Sequence, residues 1–118
     1  MQSSPELATV LDALDDSDCR HIVQVLDVAR TANEIAELCD MPLSTTYRKL
    51  ERLKAATLVE ERTRLQSGGH HTHEYDTAFE SIQITLEESR QLDISIVAPT
   101  TTVEAHLSTI WSEIRKEV

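Results

Sequence analysis

The first half of the chain repeats apolar residues at the three- and four-residue spacing of a helix. The first stripe, between Pro5 and Asp16, consists of Leu7, Val10, Leu11 and Leu14. The second stripe follows the run DDSDCR and consists of Ile22, Val25, Leu26 and Ala29. Ser17 stands shortly before the second stripe, where the hydroxyl of an N-cap residue is common. We therefore predict two helices, the second of which is capped by Ser17.

A third and a fourth helix are predicted on the two sides of a short interruption. Thr31 and Glu34 form an S/T-x-x-E capping box, which is a signature of a helix start. The stretch DMPL ends that helix, because the residue before a proline disfavours helical backbone angles. Ser44 is predicted to cap the fourth helix, which continues to about Ala56.

Beyond Ala56 the pattern changes from helical spacing to the alternation of a strand. TLVEERTRL predicts one strand, QSGGHHTH a turn-rich loop, and EYDTAFESIQITL a second extended segment. The step from Phe79 to Ile82 breaks the alternation, which indicates a bulge or an interruption. EESRQ then predicts a turn into a short partner strand over Leu92–Val97, and Pro99 ends that strand.

The last part of the chain returns to helical spacing. Its apolar seam consists of Val103, Leu107, Ile110, Trp111, Ile114 and Val118. We predict that this helix pairs two copies of the chain, because the elements before it already form complete layers and leave the seam without a partner. Trp111 would anchor the interface. The first helix would contribute Leu7, Val10, Leu11 and Leu14, and packing within one subunit is the alternative.

Residues 31–56 have the three parts of a helix-turn-helix: a short helix, a tight turn and a second helix with one face free for the major groove of DNA. The side chains expected to fasten the two helices to the core are Ile35, Ala36, Leu38, Thr46, Leu50 and Leu53. The side chains expected to point outward are Thr45, Tyr47, Arg48, Lys49 and Arg52. Double-stranded DNA is therefore the predicted partner.

The charge pattern refines this prediction, because the chain as a whole carries a formal charge of −10. Residues 44–64 hold six basic residues against three acidic ones, so this segment is positive while the rest of the chain is negative. The candidate DNA-binding residues in and after this segment are Ser44, Thr45, Tyr47, Arg48, Lys49, Arg52, Arg62, Arg64, His70 and His71. An acidic excess with only three lysines resembles the composition of proteins from salt-loving organisms. Concentrated salt would screen the repulsion between such a chain and DNA.

The stretch ANEIAELCDMPLSTTYRKLERLKAATLVEERTRLQSGGHHTHEYDTAF resembles the winged helix-turn-helix core of ArsR-type prokaryotic transcription regulators, in the small form common in haloarchaea. The resemblance covers roughly residues 18–86. The family pattern is matched by Ile35, Ala36, Ser44, Thr45, Leu50, Leu53, Leu58 and Val59. The resemblance implies a DNA-binding helix over residues 44–56, a wing at about residues 66–72 and a homodimer on a pseudo-palindromic operator.

The expected fold is mainly α with a small antiparallel β-wing, followed by a C-terminal β-hairpin and a dimerisation helix. Residues 1–86 would form the DNA-binding domain, and residues 87–118 would add the hairpin strand and the last helix to the same structural unit. Two positions depart from the family pattern. Thr57 stands where the family has a glycine with left-handed backbone, which a β-branched residue disfavours, so either the helix ends differently or the turn is strained. The C-x-C pair of metal-sensing members is represented by Cys39 alone.

Other chemistries have less support in the sequence. His70, His71 and His73 are candidate metal ligands, but without a fourth defined ligand a polar wing tip is the favoured interpretation. Cys19 and Cys39 are expected to be buried thiols. The sequence contains no catalytic motif, phosphate-binding loop, signal peptide or membrane span. We therefore expect a cytoplasmic protein that is not an enzyme and holds neither metal nor cofactor.

The favoured function is a sequence-specific DNA-binding transcription regulator that acts as a homodimer in a high-salt cytoplasm. Two alternatives stay open at this point. One is a winged helix that binds other proteins and not DNA, and the other is a repressor that senses metals or oxidants.

Overall fold

The computed structural model describes residues 2–3, 6–65, 68–69 and 71–99. The helices in this part of the chain are α1 (Leu7–Asp15), α2 (Ser17–Val25), α3 (Ala32–Cys39) and α4 (Leu43–Ala55). The strands are β1 (Gln2–Ser3), β2 (Arg30–Thr31), β3 (Val59–Leu65), β4 (His71–Thr77), β5 (Ser81–Leu86) and β6 (Leu92–Val97). The predicted order of four helices and two hairpins is confirmed, and β1 and β2 are additional. The residues of interest outside the described part are His70, Val103, Leu107, Ile110, Trp111 and Ile114.

The four helices enclose one apolar core, which also receives side chains from the strands. The largest fully buried apolar side chains are Val10, Ile22, Ile35, Leu50, Leu53, Leu58 and Ile96. Most of them belong to the helical stripes that the spacing predicted. Each such side chain contributes about 1.5–3 kcal/mol relative to exposure. With so few aromatic residues in the chain, leucine, isoleucine and valine provide most of the core volume.

Hydrogen bonds at the helix ends fix where α2 and α3 begin. The predicted capping box is confirmed: Thr31 Oγ1 accepts from the Glu34 amide at 3.2 Å, and Glu34 Oε1 accepts from the Thr31 amide at 2.9 Å. The predicted Ser17 cap of α2 is wrong. The Asp16 carboxylate accepts from the Asp18 amide at 2.9 Å instead. A charged acceptor is favourable there because the N-terminus of a helix is positively polarised.

The turn between α3 and α4 forms where the sequence predicts it, but α4 starts differently. Asp40 adopts left-handed backbone (φ 54°), and Met41 donates its amide to the Ala36 carbonyl at 2.9 Å, which closes α3. Pro42, not Ser44, occupies the N-cap of α4, and no side chain caps that end. The first backbone amides of α4 consequently have no side-chain acceptor among the described residues.

Helix α2 ends at Val25, earlier than the predicted stripe that extends to Ala29. Arg30 provides the physical reason for this early end. Its Nε donates to the Val25 carbonyl at 2.7 Å, and its Nη2 donates to Asp27 Oδ1 at 2.9 Å. These bonds satisfy a carbonyl at the helix C-terminus and turn the chain into β2.

Two three-stranded antiparallel sheets accompany the helices. The first has the order β2-β4-β3, and its β3–β4 hairpin is the predicted wing, with Val59 opposite Thr77 at its base. The second has the order β1-β6-β5. The chain passes from the first sheet to the second through residues 78–80, which confirms the predicted break between Phe79 and Ile82.

The β5–β6 hairpin carries an apolar face that the core covers only at one end. The directly opposed pairs on this face are Ile82 with Ile96, Ile84 with Ile94, and Leu86 with Leu92. Ile94 and Ile96 are buried, whereas Ile84, Leu86 and Leu92 near the turn are about half exposed. The hairpin joins strands on both sides of the domain limit that the sequence suggested after residue 86.

Helix α4 ends in a Schellman motif, a pair of backbone hydrogen bonds that closes the last turn. The Leu58 amide donates to the Leu53 carbonyl at 3.0 Å, and the Thr57 amide donates to the Lys54 carbonyl at 2.9 Å. Thr57 has a φ of 59°, so of the two outcomes left open by the sequence the strained, left-handed one is observed. Leu53 and Leu58 are both fully buried, so the turn is held although left-handed backbone costs a residue with a Cβ about 1–2 kcal/mol.

Replacing Thr57 by glycine should raise the free energy of unfolding by about 1 kcal/mol, because glycine adopts a positive φ without steric cost. Thr57→Ala is the control, since alanine removes the branch but keeps Cβ, and we expect a smaller gain. Denaturant unfolding of the three proteins in one buffer measures both changes. A Thr57→Gly protein no more stable than the parent would contradict the inferred strain.

Candidate nucleic-acid interface

Helix α3, the turn at residues 40–42 and α4 form the helix-turn-helix, and α4 exposes its first turns to solvent. The side chains that fasten the motif to the core, as predicted, are Ile35, Ala36, Thr46, Leu50 and Leu53. Ser44, Tyr47 and Arg48 are exposed, and Thr45 is partly exposed. These four residues belong to the part of a recognition helix that contacts base edges in helix-turn-helix complexes.

Two side chains of the motif lie differently from the prediction. Leu38 is 51 % exposed, because the apolar side chain buried at the end of α3 is Cys39. The prediction that Lys49 points outward is wrong, since its side chain is only 14 % exposed. Lys49 extends toward Asp16, and this ion pair explains its direction.

The Asp16 carboxylate, at the corner between α1 and α2, binds two basic side chains of α4. Its Oδ2 lies 2.5 Å from Lys49 Nζ and 3.0 Å from Arg52 Nη1. The hydrogen bond from Lys49 holds the pKa of Asp16 below its ordinary value, and the bond from the Asp18 amide acts in the same direction, whereas burial opposes both. Asp16 therefore stays ionised at neutral pH and fastens α4 to the preceding helices.

The basic residue near the C-terminal end of α4 is paired as well. Lys54 Nζ lies 2.6 Å from Glu61 of β3 and 3.3 Å from Glu51, and the hydrogen bond to Glu61 is the main cause of its raised pKa. Arg48 is the basic residue of α4 that has no carboxylate at salt-bridge distance among the described residues. Because it is also exposed, Arg48 is the cation of α4 most available to a phosphate or a base.

Strand alternation divides the charged side chains of the wing between two faces. The face that includes the buried Val59 and Tyr75 also carries Glu61 and His73, and His73 Nδ1 lies 2.7 Å from Glu61 Oε2. Glu61 binds Lys54 of α4 at the same time. This face of the wing therefore contacts α4, the candidate DNA-binding helix.

Arg62 and Arg64 lie on the opposite face of the wing, and both are paired across the strands. Arg62 Nη2 is 2.7 Å from Asp76 Oδ2, and Arg64 Nη1 is 3.0 Å from Glu74 Oε2. Their side chains are 52 % and 65 % exposed, so each remains accessible despite its partner. The sequence grouped these arginines with the basic residues of α4, but the alternation of β3 turns them away from that helix.

The tip of the wing depends on two glycines. Gly68 and Gly69 have positive φ values of 96° and 83°, which glycine adopts without steric cost. His71 is exposed at the start of β4, opposite the exposed Leu65 at the end of β3. The candidate residue His71 thus lies at the base of the wing loop, whereas His70 is outside the described residues.

The remaining candidate chemistries concern metals, membranes and reactive thiols. Among the described residues, no three metal-ligating side chains come together, and none of the described helices combines the length and hydropathy of a membrane span. Cys19 is fully buried, and burial raises the pKa of its thiol to about 11. Burial also raises the pKa of Cys39. A redox-sensing thiol needs exposure and a lowered pKa, so neither cysteine has the properties of one.

Asp16 is the residue of this site that the sequence pattern does not identify. It lies 33 and 36 residues before its partners Lys49 and Arg52. The acidic run DDSD indicates a cluster of carboxylates, but the pattern of apolar positions does not predict which of them contacts α4. A predicted helix start at Ser17, one residue earlier than a Ser17 cap implies, would have assigned Asp16 to the N-cap.

Comparisons with known proteins agree with this geometry. Residues 14–62 match the helix-turn-helix domain family, a span that includes α2, α3 and α4. No protein of curated function matches the sequence. Among solved structures, the homodimeric winged helix-turn-helix DNA-binding domain of a possible ArsR-family transcriptional regulator from Mycobacterium bovis is similar, with 30 % sequence identity and a TM-score of 0.52. The similarity covers 61 % of this chain and 63 % of that one.

The fold class predicted from the sequence is confirmed by these observations. The described residues contain the two helices of the motif, the turn between them and the β3–β4 wing in the expected order. The similar solved structure has the same type of fold at moderate sequence identity. The chain therefore has the winged helix-turn-helix fold. Its residues 14–62 match the helix-turn-helix domain family, and its structure is similar to the DNA-binding domain of a possible ArsR-family regulator.

Proposed function

We propose that this chain is a sequence-specific DNA-binding transcription regulator whose helix α4 enters the major groove with its first turns. Arg48 is the observation that supports this function most directly, because it is exposed and has no acidic partner among the described residues. Ser44 and Tyr47 are exposed beside it. A guanidinium, a hydroxyl and an aromatic ring on one helix suit contacts with base edges and phosphates. The similar structure from Mycobacterium bovis is described as a DNA-binding domain.

Contacts with the DNA backbone would come from the start of α4 and from the wing. The first amides of α4 have no side-chain acceptor among the described residues, so they are free to donate to a phosphate oxygen. Arg62, Arg64 and His71 would hold the flanking backbone, since all three are exposed. For the two arginines this contact exchanges a carboxylate for a phosphate, which replaces one charge-assisted hydrogen bond by another.

The proposal includes a high-salt cytoplasm, which the acidic excess and the scarcity of lysine support. Around the candidate interface, Asp16, Glu61, Glu74 and Asp76 already neutralise basic side chains. The arrival of DNA would therefore release few counterions. Binding would depend on hydrogen bonds and apolar contact, and it would weaken less with added salt than binding by unpaired basic residues.

We further propose that the regulator acts as a homodimer, as the similar structure from Mycobacterium bovis is described. Helix α1 leaves Leu11 44 % exposed, and Leu7 and Leu14 pack partly buried against the core. Val10 is fully buried within the chain, so the sequence-based expectation that it contacts a partner is wrong. The C-terminal seam around Trp111 would supply the rest of the interface. A two-fold axis would then present two α4 helices about 34 Å apart, one turn of the duplex.

A winged helix that binds proteins instead of DNA is the second candidate. The observation that favours it is the pairing of Lys49, Arg52 and Lys54 with carboxylates, which leaves little net positive charge on α4. In that case Arg48 would bind an acidic group of a protein partner. The two candidates differ in one measurable property, because only the first requires a preferred DNA sequence.

The proposed contacts depend in part on Asp16, since it binds two basic side chains of α4 at the corner between the first two helices. Its side chain is 13 % exposed, and it binds Lys49 and Arg52 while it caps α2. The folded protein holds the pKa of this carboxylate below its ordinary value. Its contribution to stability is therefore present at neutral pH and is lost as the pH falls through the lowered pKa.

Arg48→Ala should weaken binding to a duplex selected from a randomised pool by about tenfold or more at molar KCl, because a guanidinium contact with a base is worth about 1–3 kcal/mol. Arg90→Ala is the matched control, since Arg90 is exposed on the β5–β6 turn and has no carboxylate partner among the described residues. Gel-shift titration of the three proteins measures the affinities. Equal losses in both variants would contradict the role of Arg48, whereas a parent protein that selects no duplex would contradict the DNA-binding function and support the protein-binding candidate.

Glu61→Gln should steepen the salt dependence of DNA binding by about one unit of log K per unit of log salt concentration, because it frees Lys54 to neutralise a phosphate. Glu60→Gln is a control with the same change of net charge, on the same strand and on its other face. Affinities measured over a series of KCl concentrations give the slopes. Identical slopes for the two variants would show that net charge, and not the Lys54 pair, sets the salt dependence.

Asp16→Asn should lower the free energy of unfolding at pH 7 by about 2 kcal/mol, because asparagine keeps the cap of α2 but removes the carboxylate that binds Lys49 and Arg52, and Lys49 then has only the Asp18 carboxylate, at 3.9 Å. The difference from the parent should shrink as the pH falls through the lowered pKa of Asp16. Asp15→Asn is the control, since Asp15 is exposed on α1 and has no ion pair among the described residues. Denaturant unfolding at several pH values measures these free energies of unfolding. A decrease in Asp16→Asn equal to that in Asp15→Asn would refute the role of Asp16.

A further inference from the structure

Helix α4 exposes apolar surface directly beside Arg48. Leu43 is 40 % exposed and Tyr47 is 47 % exposed. The two residues are four positions apart, so they lie on the same side of the helix with Cβ atoms about 6 Å from each other. Leu43 is the first residue of α4. Both side chains therefore belong to the first turns, from which a recognition helix contacts base edges.

The other charges of α4 leave this apolar surface free. Lys49 and Arg52 are held by Asp16, and Lys54 is held by Glu61 of the wing. The exposed part of the first two turns therefore consists of the aliphatic Leu43 side chain, the aromatic ring of Tyr47, three hydroxyl groups and one guanidinium. A surface of this composition is suited to contact with an apolar group flanked by hydrogen-bonding atoms.

We propose that Leu43 and Tyr47 recognise the 5-methyl groups of two thymines in the major groove. Thymine is the base that presents an apolar group there. Two base steps rise about 6.8 Å along a strand, which is close to the separation of the two side chains. This inference rests on the DNA-binding function proposed above. It predicts that each half-site contains thymines two steps apart, with Arg48 over a neighbouring base.

Recognition of methyl groups also fits an acidic protein that works in concentrated salt. Salt screens the attraction between basic side chains and phosphates, whereas the burial of a methyl group removes apolar surface from water and does not depend on screening. The burial of one methyl group changes an affinity by about threefold to fivefold. Two such contacts would give a base preference that does not rely on the few unpaired cations of α4.

The test replaces thymine by deoxyuracil, which keeps every hydrogen-bonding atom and removes only the methyl group. The probe is a duplex that the full chain selects from a randomised pool in molar KCl, with each thymine replaced in turn. We expect the affinity to fall by about threefold to fivefold at one or two positions. In Leu43→Ala and Tyr47→Ala proteins the loss at one of these positions should disappear, whereas Tyr47→Phe should retain it.

The possible outcomes separate this proposal from the function on which it rests. A selected duplex in which every thymine tolerates the replacement would overturn thymine recognition, while DNA binding would stand. If the full chain selects no duplex, DNA binding fails, and thymine recognition fails with it. The deoxyuracil series uses the unaltered protein, so its result does not depend on whether the alanine variants fold.

Discussion

The carboxylate of Asp16 is the contact on which the arrangement of this site depends. It caps α2 and, from the same corner, binds Lys49 and Arg52 of α4. A largely buried charge requires charged or hydrogen-bonding partners, so Asp16 fixes the direction of two of the four basic side chains of α4. Arg48 is left exposed, without a carboxylate partner among the described residues. A residue that precedes the helix-turn-helix thus determines which basic side chains of α4 remain unpaired.

This pairing explains in physical terms how an acidic chain can present a helix to DNA. A formal charge of −10 repels a polyanion at low salt. The basic side chains of α4 and of the wing are mostly matched by carboxylates, and the exposed turns combine hydroxyl groups, apolar side chains and Arg48. A surface of this kind gains little from released counterions and relies on short-range contacts, which concentrated salt does not screen away.

Local rules predicted those parts of the fold that a few neighbouring residues encode. The capping box at Thr31, the turn at residues 40–42 and the alternation of the strands depend on residues within a few positions. The directions of charged side chains were not predictable in this way, because they depend on partners distant in sequence. Lys49 meets a carboxylate 33 residues away. Arg62 and Arg64 lie on the face of the wing that points away from α4. The strand register that places them there cannot be derived from the composition of the segment.

The most direct measurement is a backbone-amide NMR titration of the full chain with its selected duplex in molar KCl. We expect the amide signals of residues 43–48 to shift or broaden most, because the first turns of α4 would lie in the major groove. The amide signals of the wing should show the next largest changes, and those of the β5–β6 hairpin should keep their positions. The opposite pattern, with the largest changes in the β5–β6 hairpin and none at residues 43–48, would contradict the assignment of α4 as the DNA-binding helix.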